Sequence, residues 1–209
     1  MIIKKKLVLF DLDGVLIDSK LNMHRTWECV VEEFGLTVPF ENYFSNIGRP
    51  FREILSIIGI TERQFDIERR YNELSCKTIA RVKIFPGAQE FLNLLEENDI
   101  FIGIVTSKEE KRTQLILEKF ENRFSIICTP NSICRGKPAP DHLLMAVALK
   151  NVDPAEALFV GDMDVDSMAA KRAGMDYVHV SWGYGSCGEG DVQVQEFADM
   201  DQYIFGDEK

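Results

Sequence analysis

The sequence predicts an α/β protein with a doubly wound parallel sheet, and three observations carry that expectation. Leu7-Val-Leu-Phe10 is uniformly apolar, as a strand buried on both faces must be. From Pro86 onward, short apolar runs at residues 100–105, 124–128, 157–160 and 177–180 alternate with helical stretches, the rhythm of a parallel sheet. Residues 15–83, by contrast, read as helix and loop without a convincing strand. They are expected to form an all-helical cap domain, inserted into a core domain made of residues 1–14 and 84–209.

The elements follow in order. Asp18-Ser19 is a helix N-cap signal; Leu21, Met23, Trp27, Val30, Val31 and Phe34 recur at mostly helical spacing, and Gly35 closes that helix. Residues 39–43 are a break and residues 46–50 a loop. Residues 51–58 form a short helix stopped by Gly59. Thr61-Glu-Arg-Gln64 has the form of a capping box opening a longer helix to about Ala80. In the second half, residues 88–98 present Phe91, Leu92 and Leu95 on one helical face, and residues 108–120 make a charged amphipathic helix. A proline-framed loop at residues 129–140 leads into a helix at 141–150. The helix at 165–173 stops at Gly174, and a glycine-rich loop at 183–190 precedes an acidic tail.

Composition narrows the function. The net charge is −10, from 24 basic and 34 acidic residues, which disfavours non-specific binding to nucleic acid or anionic membrane. An anionic substrate must then be met by a local cation or a metal, because the overall field repels it. Five scattered cysteines without a Cys-x-x-Cys pair fit reduced thiols in the cytoplasm. The run from Met1 to Lys6 lacks the apolar stretch of a signal peptide, and nothing approaches the ~20 apolar residues of a membrane span. His24, His142 and His179 are too dispersed to suggest a metal site.

Chemistry-bearing residues sit just beyond the apolar strands. Asp11 and Asp13 stand one residue apart before Gly14, and two carboxylates that close call for a proton or a cation between them, a hard divalent ion being the natural occupant. Thr106 and Ser107 offer hydroxyls and backbone N–H groups where a helix begins, either as an anion site or as a plain cap. Lys137 is held in the stiff segment Gly136-Lys-Pro-Ala-Pro-Asp141. Asp162 and Asp166 are one helical turn apart and can face one point, whereas Asp164 turns elsewhere. An EF-hand reading of this acidic run fails, since Ser167 and Ala173 occupy its glycine and glutamate positions; no P-loop is present. In a parallel sheet these tips share one edge, where open α/β sheets bind ligands.

Taken together, Asp11-Leu-Asp-Gly-Val, Val105-Thr-Ser, Lys137-Pro and Gly161-Asp-x3-Asp166 resemble the four motifs of the haloacid dehalogenase superfamily over essentially the whole chain. The helical insert and the segment Val180-Ser-Trp-Gly-Tyr-Gly-Ser186 resemble the phosphoglycolate-phosphatase-like and β-phosphoglucomutase-like members with a C1 cap. The resemblance implies a Rossmann-like core of strand order 5-4-1-2-3. It also implies a Mg2+-dependent phosphatase acting on a small phosphorylated metabolite. Asp11 would be the nucleophile and Asp13 the acid and base. Thr106, the Ser107 backbone and Lys137 would neutralise the phosphoryl group. The metal set would be Asp11, Asp13 through its backbone carbonyl, Asp162 and Asp166, the last orienting Lys137 or a metal-bound water. Gly14 and Ser107, with Arg49 and Arg52 from the cap, are the expected substrate contacts. An aspartate at position 13 favours an alcohol leaving group, which needs a proton, over a halide. The mutases use a histidine in the first cap helix where Met23 stands here, with His24 beside it; a sugar phosphomutase is the alternative, and a non-catalytic regulator the third reading. Ser107 and Met163 depart from the commoner asparagine and threonine or serine.

Overall fold

In a computed structural model of the protein, which describes residues 4–206, the apolar run Leu7–Phe10 forms β1 at the centre of a parallel sheet. The first and last three residues of the expected core domain lie outside the described residues. Strands β4 (Phe101–Val105) and β5 (Ile126–Cys128) lie to one side of β1; β6 (Ala157–Gly161), β7 (Asp176–Val180) and β8 (Val192–Val194) lie to the other. Counting the five expected core strands alone, the order is 5-4-1-2-3. The sixth, β8, was expected to be loop: Val-Gln-Val is short and sits among glycines and acids, so pairing with β7 rather than local pattern makes it a strand.

Side chains of β1 alternate between two cores. Val8 and Phe10 join the face covered by α5 (Ala88–Glu97) and α6 (Glu110–Leu117), and Leu7 and Leu9 join the face covered by α7 (Asp141–Lys150) and α8 (Asp164–Ala173). All four side chains of β1 are fully buried, each contributing about 1.5–3 kcal/mol. Phe10 is in register with Ile104 on β4 and with Val160 on β6. The three strands therefore end together, and Asp11, Thr106 and Asp162 emerge on one edge.

Between β1 and β4 the chain builds α1 (Lys20–Phe34), α2 (Phe40–Phe44), α3 (Phe51–Ile57) and α4 (Gln64–Thr78), which share a cluster of their own. Trp27 stacks on Tyr43 with ring centroids 4.5 Å apart, and the Tyr43 hydroxyl donates to the Tyr71 hydroxyl at 3.0 Å. Asn22 and Ser75 tie α1 to α4 inside the helical layer. Met163 and Val165 of the sheet half belong to the same cluster, so the helical layer rests on the strand tips.

Several local expectations are corrected. Two short strands, β2 (Ile17–Asp18) and β3 (Lys83–Ile84), pair antiparallel where the chain leaves for the helices and returns; two residues are too few for a periodic pattern. Residues 39–43 largely form α2 rather than a break. Ser19 occupies the N-cap position of α1 but makes no cap bond, because its hydroxyl is drawn to Asp13. The Thr61 capping box does not form: α4 opens at Gln64 behind Arg63 in a left-handed conformation, and the Gln64 amide turns back to the Ile60 carbonyl. The α6 helix starts behind Glu109, whose carboxylate accepts from the N–H groups of Lys111 and Arg112, so neither Thr106 nor Ser107 is its cap. No described helix is long and apolar enough to cross a membrane.

Candidate active site

Asp11 follows β1, Asp162 follows β6, and Asp166 lies in the first turn of α8; one carboxylate oxygen from each lies within 4.8 Å of the others, and all three residues are buried. The α8 start explains the position of Asp166: its Oδ2 accepts from the N–H groups of Asp162 (3.2 Å) and Met163 (3.0 Å), so it closes the turn that carries Asp162. Lys137, on the loop after β5, brings its buried Nζ to 3.0 Å from Asp11 Oδ1 and 2.7 Å from Asp166 Oδ1, an ion-pair arrangement.

Three buried carboxylates against one buried ammonium leave excess negative charge. Burial pushes the Asp11 carboxyl up to about 7; Lys137 opposes this, and Asp166 and Asp13 add to it. Asp162 is likewise held well above the usual carboxylate range, by burial first and then by Asp166 and Asp11. Burial works against the charge on Lys137, but Asp11 and Asp166 together outweigh it and raise its pKa. Asp162 Oδ2 accepts from the Tyr184 N–H at 2.7 Å, while its buried Oδ1 has no donor among the described residues. An orphaned carboxylate oxygen in an all-oxygen, net-negative cluster fits a hard divalent cation such as Mg2+.

Backbone clearance sets this geometry. A Cβ at Gly14, which has φ +82°, would lie 2.1 Å from Asp162 Oδ2, and one at Gly183 would lie 2.2 Å from Asp162 Cβ. Gly14 was expected among the substrate contacts. The fold sets it against Asp162, where a side chain would displace that carboxylate.

Beside the cluster lies a cavity of about 50 Å³ whose lining includes Asp11, Asp13, Arg49, Thr106, Ser107 and Arg112. Asp13 is half-buried; Ser19 Oγ donates to its Oδ1, and Lys108 Nζ lies 3.0 Å from the same oxygen. Its carboxylate is outside the three-carboxylate group. Burial lowers the Lys108 pKa, Asp13 opposes that, and the charge of Arg112 reinforces it. Thr106 Oγ1 accepts from the Lys108 N–H at 3.1 Å, and Ser107 Oγ donates to the Gly48 carbonyl of the helical layer.

The two cap arginines part company. Arg49 lines the cavity, 3.5 Å from both Glu53 and Asp164. Arg52 is not brought to it: the side chain pairs with Glu68 at 3.1 Å and lies over the Phe65 ring in an outer groove. Met23 lines the cavity, whereas His24 turns outward to Glu28 and the Phe40 ring. Sequence reasoning missed Ser19, Lys108, Arg112 and Tyr184. Lys108 directly follows the Thr106-Ser107 tip and Arg112 comes four residues later, a spacing that offered a signal.

The chain is 29% identical over 184 residues to a phosphoglycolate phosphatase of Xanthomonas campestris pv. campestris, covering 85% of this chain and 83% of the relative. It is 31% identical over 191 residues to a phosphoglycolate phosphatase of Nitrosospira multiformis, covering 86% and 84%. Among solved structures, a haloacid dehalogenase-like hydrolase from Bacteroides fragilis superposes with a TM-score of 0.82 at 28% identity, covering 88% of this chain and 91% of the other. Residues 8–180 match the family described as haloacid dehalogenase-like hydrolase. The chain belongs to that family.

Proposed function

We propose that this protein is a Mg2+-dependent phosphomonoester phosphatase, phosphoglycolate-phosphatase-like, that works through an aspartyl-phosphate. The observation that carries the reading is the meeting of Asp11, Asp162 and Asp166 with Lys137 beside a small cavity. Phosphatases among the relatives support it. Asp11, the Asp13 carbonyl and Asp162 would hold Mg2+, with Asp166 behind them. When bound, the ion offsets the carboxylate charge and draws electron density from the phosphoryl oxygens.

The chain's own residues then divide the work. An Asp11 oxygen attacks phosphorus in line; the P–O bond to the alcohol breaks as Asp13 gives that oxygen its proton. Water next attacks the phosphoryl group, Asp13 takes its proton, and the Asp11–phosphorus bond breaks to free phosphate and restore the carboxylate. Ser19 and Lys108 keep the Asp13 carboxyl aimed at the cavity. Lys137 and Thr106, with the Ser107 backbone, stabilise the charge that spreads over the phosphoryl oxygens. Residues 15–83 act as a cap on a core of residues 1–14 and 84–209, which shuts bulk water out of the reaction. With His24 turned away and Met23 in its place, hydrolysis is favoured over sugar-phosphate mutase chemistry.

The test is phosphate release from a panel of small phosphomonoesters in Mg2+, run beside an isomer-exchange assay. Asp11→Asn should abolish release and keep the wild-type circular dichroism. Full turnover by that variant, or isomer exchange without release, would end the proposal.

A further inference from the structure

Charge accounting around the cavity leaves one cation without a counter-ion. Arg49 has Glu53 and Asp164, Arg52 has Glu68, Lys108 has Asp13, and Lys137 has Asp11 and Asp166. Arg112, only 6% exposed, lines the cavity and has no carboxylate partner among the described residues, and its Nε has no hydrogen-bond acceptor. Its guanidinium lies over the Tyr71 ring, 5.3 Å from the centroid, which fixes the plane of the fork without neutralising it. The neighbouring phenols cannot supply the missing charge: burial pushes Tyr71 up to about 12 and Tyr43 well above its ordinary value. A buried charge left unpaired is strongly disfavoured unless a ligand completes it. A planar fork of N–H donors matches an oxyanion that can accept two bonds at once, a carboxylate or a phosphate.

We propose that Arg112 is a specificity-determining residue that receives a carboxylate on the non-reacting end of the substrate. The preferred substrates are accordingly phosphomonoesters with a second negative charge. The phosphoryl group meets Asp11, Thr106 and Lys137, and the far end of the molecule meets Arg112, which lines both the cavity of about 50 Å³ and the larger groove of about 950 Å³ beside it. The role expected of Arg49 and Arg52 passes to a residue of the sheet half, on α6. This inference rests on the phosphatase reading above.

Steady-state kinetics in Mg2+ with phosphoglycolate and with hydroxyethyl phosphate, which replaces the carboxylate by a neutral alcohol, test it. Wild type should prefer the carboxylate ester. Arg112→Met should raise KM for phosphoglycolate by about 10- to 100-fold, the worth of a charged hydrogen-bonded pair, and for hydroxyethyl phosphate by less than about threefold. Arg112→Lys keeps the charge but loses the fork, and should still shift phosphoglycolate more than the neutral ester; it serves where the methionine variant fails to fold. Equal losses on both esters would make Arg112 a packing residue of the Tyr71 contact and overturn the inference. Wild-type turnover without preference would overturn it while leaving the phosphatase reading standing. No turnover of any phosphomonoester would remove both.

Discussion

Asp162→Asn is expected to stabilise the metal-free protein while removing its response to Mg2+. The carboxylate is fully buried, its Oδ1 lacks a donor, and its ligand atom lies within 4.8 Å of those of Asp11 and Asp166. At 4.8 Å each like-charge pair costs about 3.5 kcal/mol with an effective dielectric of about 20, and Lys137, whose ion pairs are with Asp11 and Asp166, returns only part of that to Asp162. The cluster evades part of that cost by taking up a proton: with Asp11 near 7, protonation at about pH 8 costs about 1.4 kcal/mol. Asparagine keeps an oxygen for the Tyr184 N–H and turns donors toward the remaining carboxylates. The net gain in chelator is therefore about 1–3 kcal/mol, or ~3–10 °C in Tm for a chain of this size. Calorimetric melts at about pH 8, with chelator and then with Mg2+, read both halves. Wild type should climb on adding Mg2+, by about 2.7 kcal/mol at a hundredfold excess over Kd, and the variant should barely move. A lower metal-free Tm in the variant, or an undiminished Mg2+ response, would refute the reasoning.

Two further predictions come from the same charges. Lys137→Met leaves Asp11 and Asp166 buried without their ammonium, so denaturant unfolding in chelator should show a loss of about 3–5 kcal/mol; an unchanged midpoint would mean that the ion pair contributes nothing. The pH dependence has a definite sign: the Asp11 carboxyl titrates near 7 when folded and at 3.8 otherwise, so between those values the folded state holds the extra proton. Metal-free stability should accordingly be greatest toward the lower end of that window and fall as pH rises through about 7, while Mg2+ affinity rises over the same range because the ion displaces the proton. Melts across pH in chelator, and calorimetric titrations in buffers of different ionisation enthalpy, check the two arms; a metal-free Tm that rises from acid to neutral pH would contradict the first.

The sheet was legible because its strands are buried on both faces. Leu7–Phe10 and residues 157–160 carry that in composition alone, and their tips followed from parallel topology. What stayed hidden is decided by partners distant in the chain. Val192–Val194 is a strand because β7 offers it an edge, and β2 and β3 exist through each other. Ser19 carries a cap residue's chemistry, but its hydroxyl is turned to Asp13 and makes no bond to a helix N–H. The clearance needed at Gly14 was hidden for a similar reason: it matters to Asp162, far along the chain.

Cationic side chains show the limit most clearly. Arg49 and Arg52 attract notice from their position after a glycine in a loop, whereas Arg112 looks like one more charge on an amphipathic helix. What separates them is which carboxylate each one finds. Glu53 and Glu68 come from within the helical layer, and Asp164 from α8, so Arg49 reaches the cavity already compensated and Arg52, on α3, pairs away from it. Arg112 is carried by α6 beneath Tyr71, where no acid among the described residues pairs with it. A protein with net charge −10 repels an anionic metabolite at long range and must attract it with charge that its own acids have not cancelled. Selectivity for the substrate's far end therefore belongs to the cation that folding leaves unpaired.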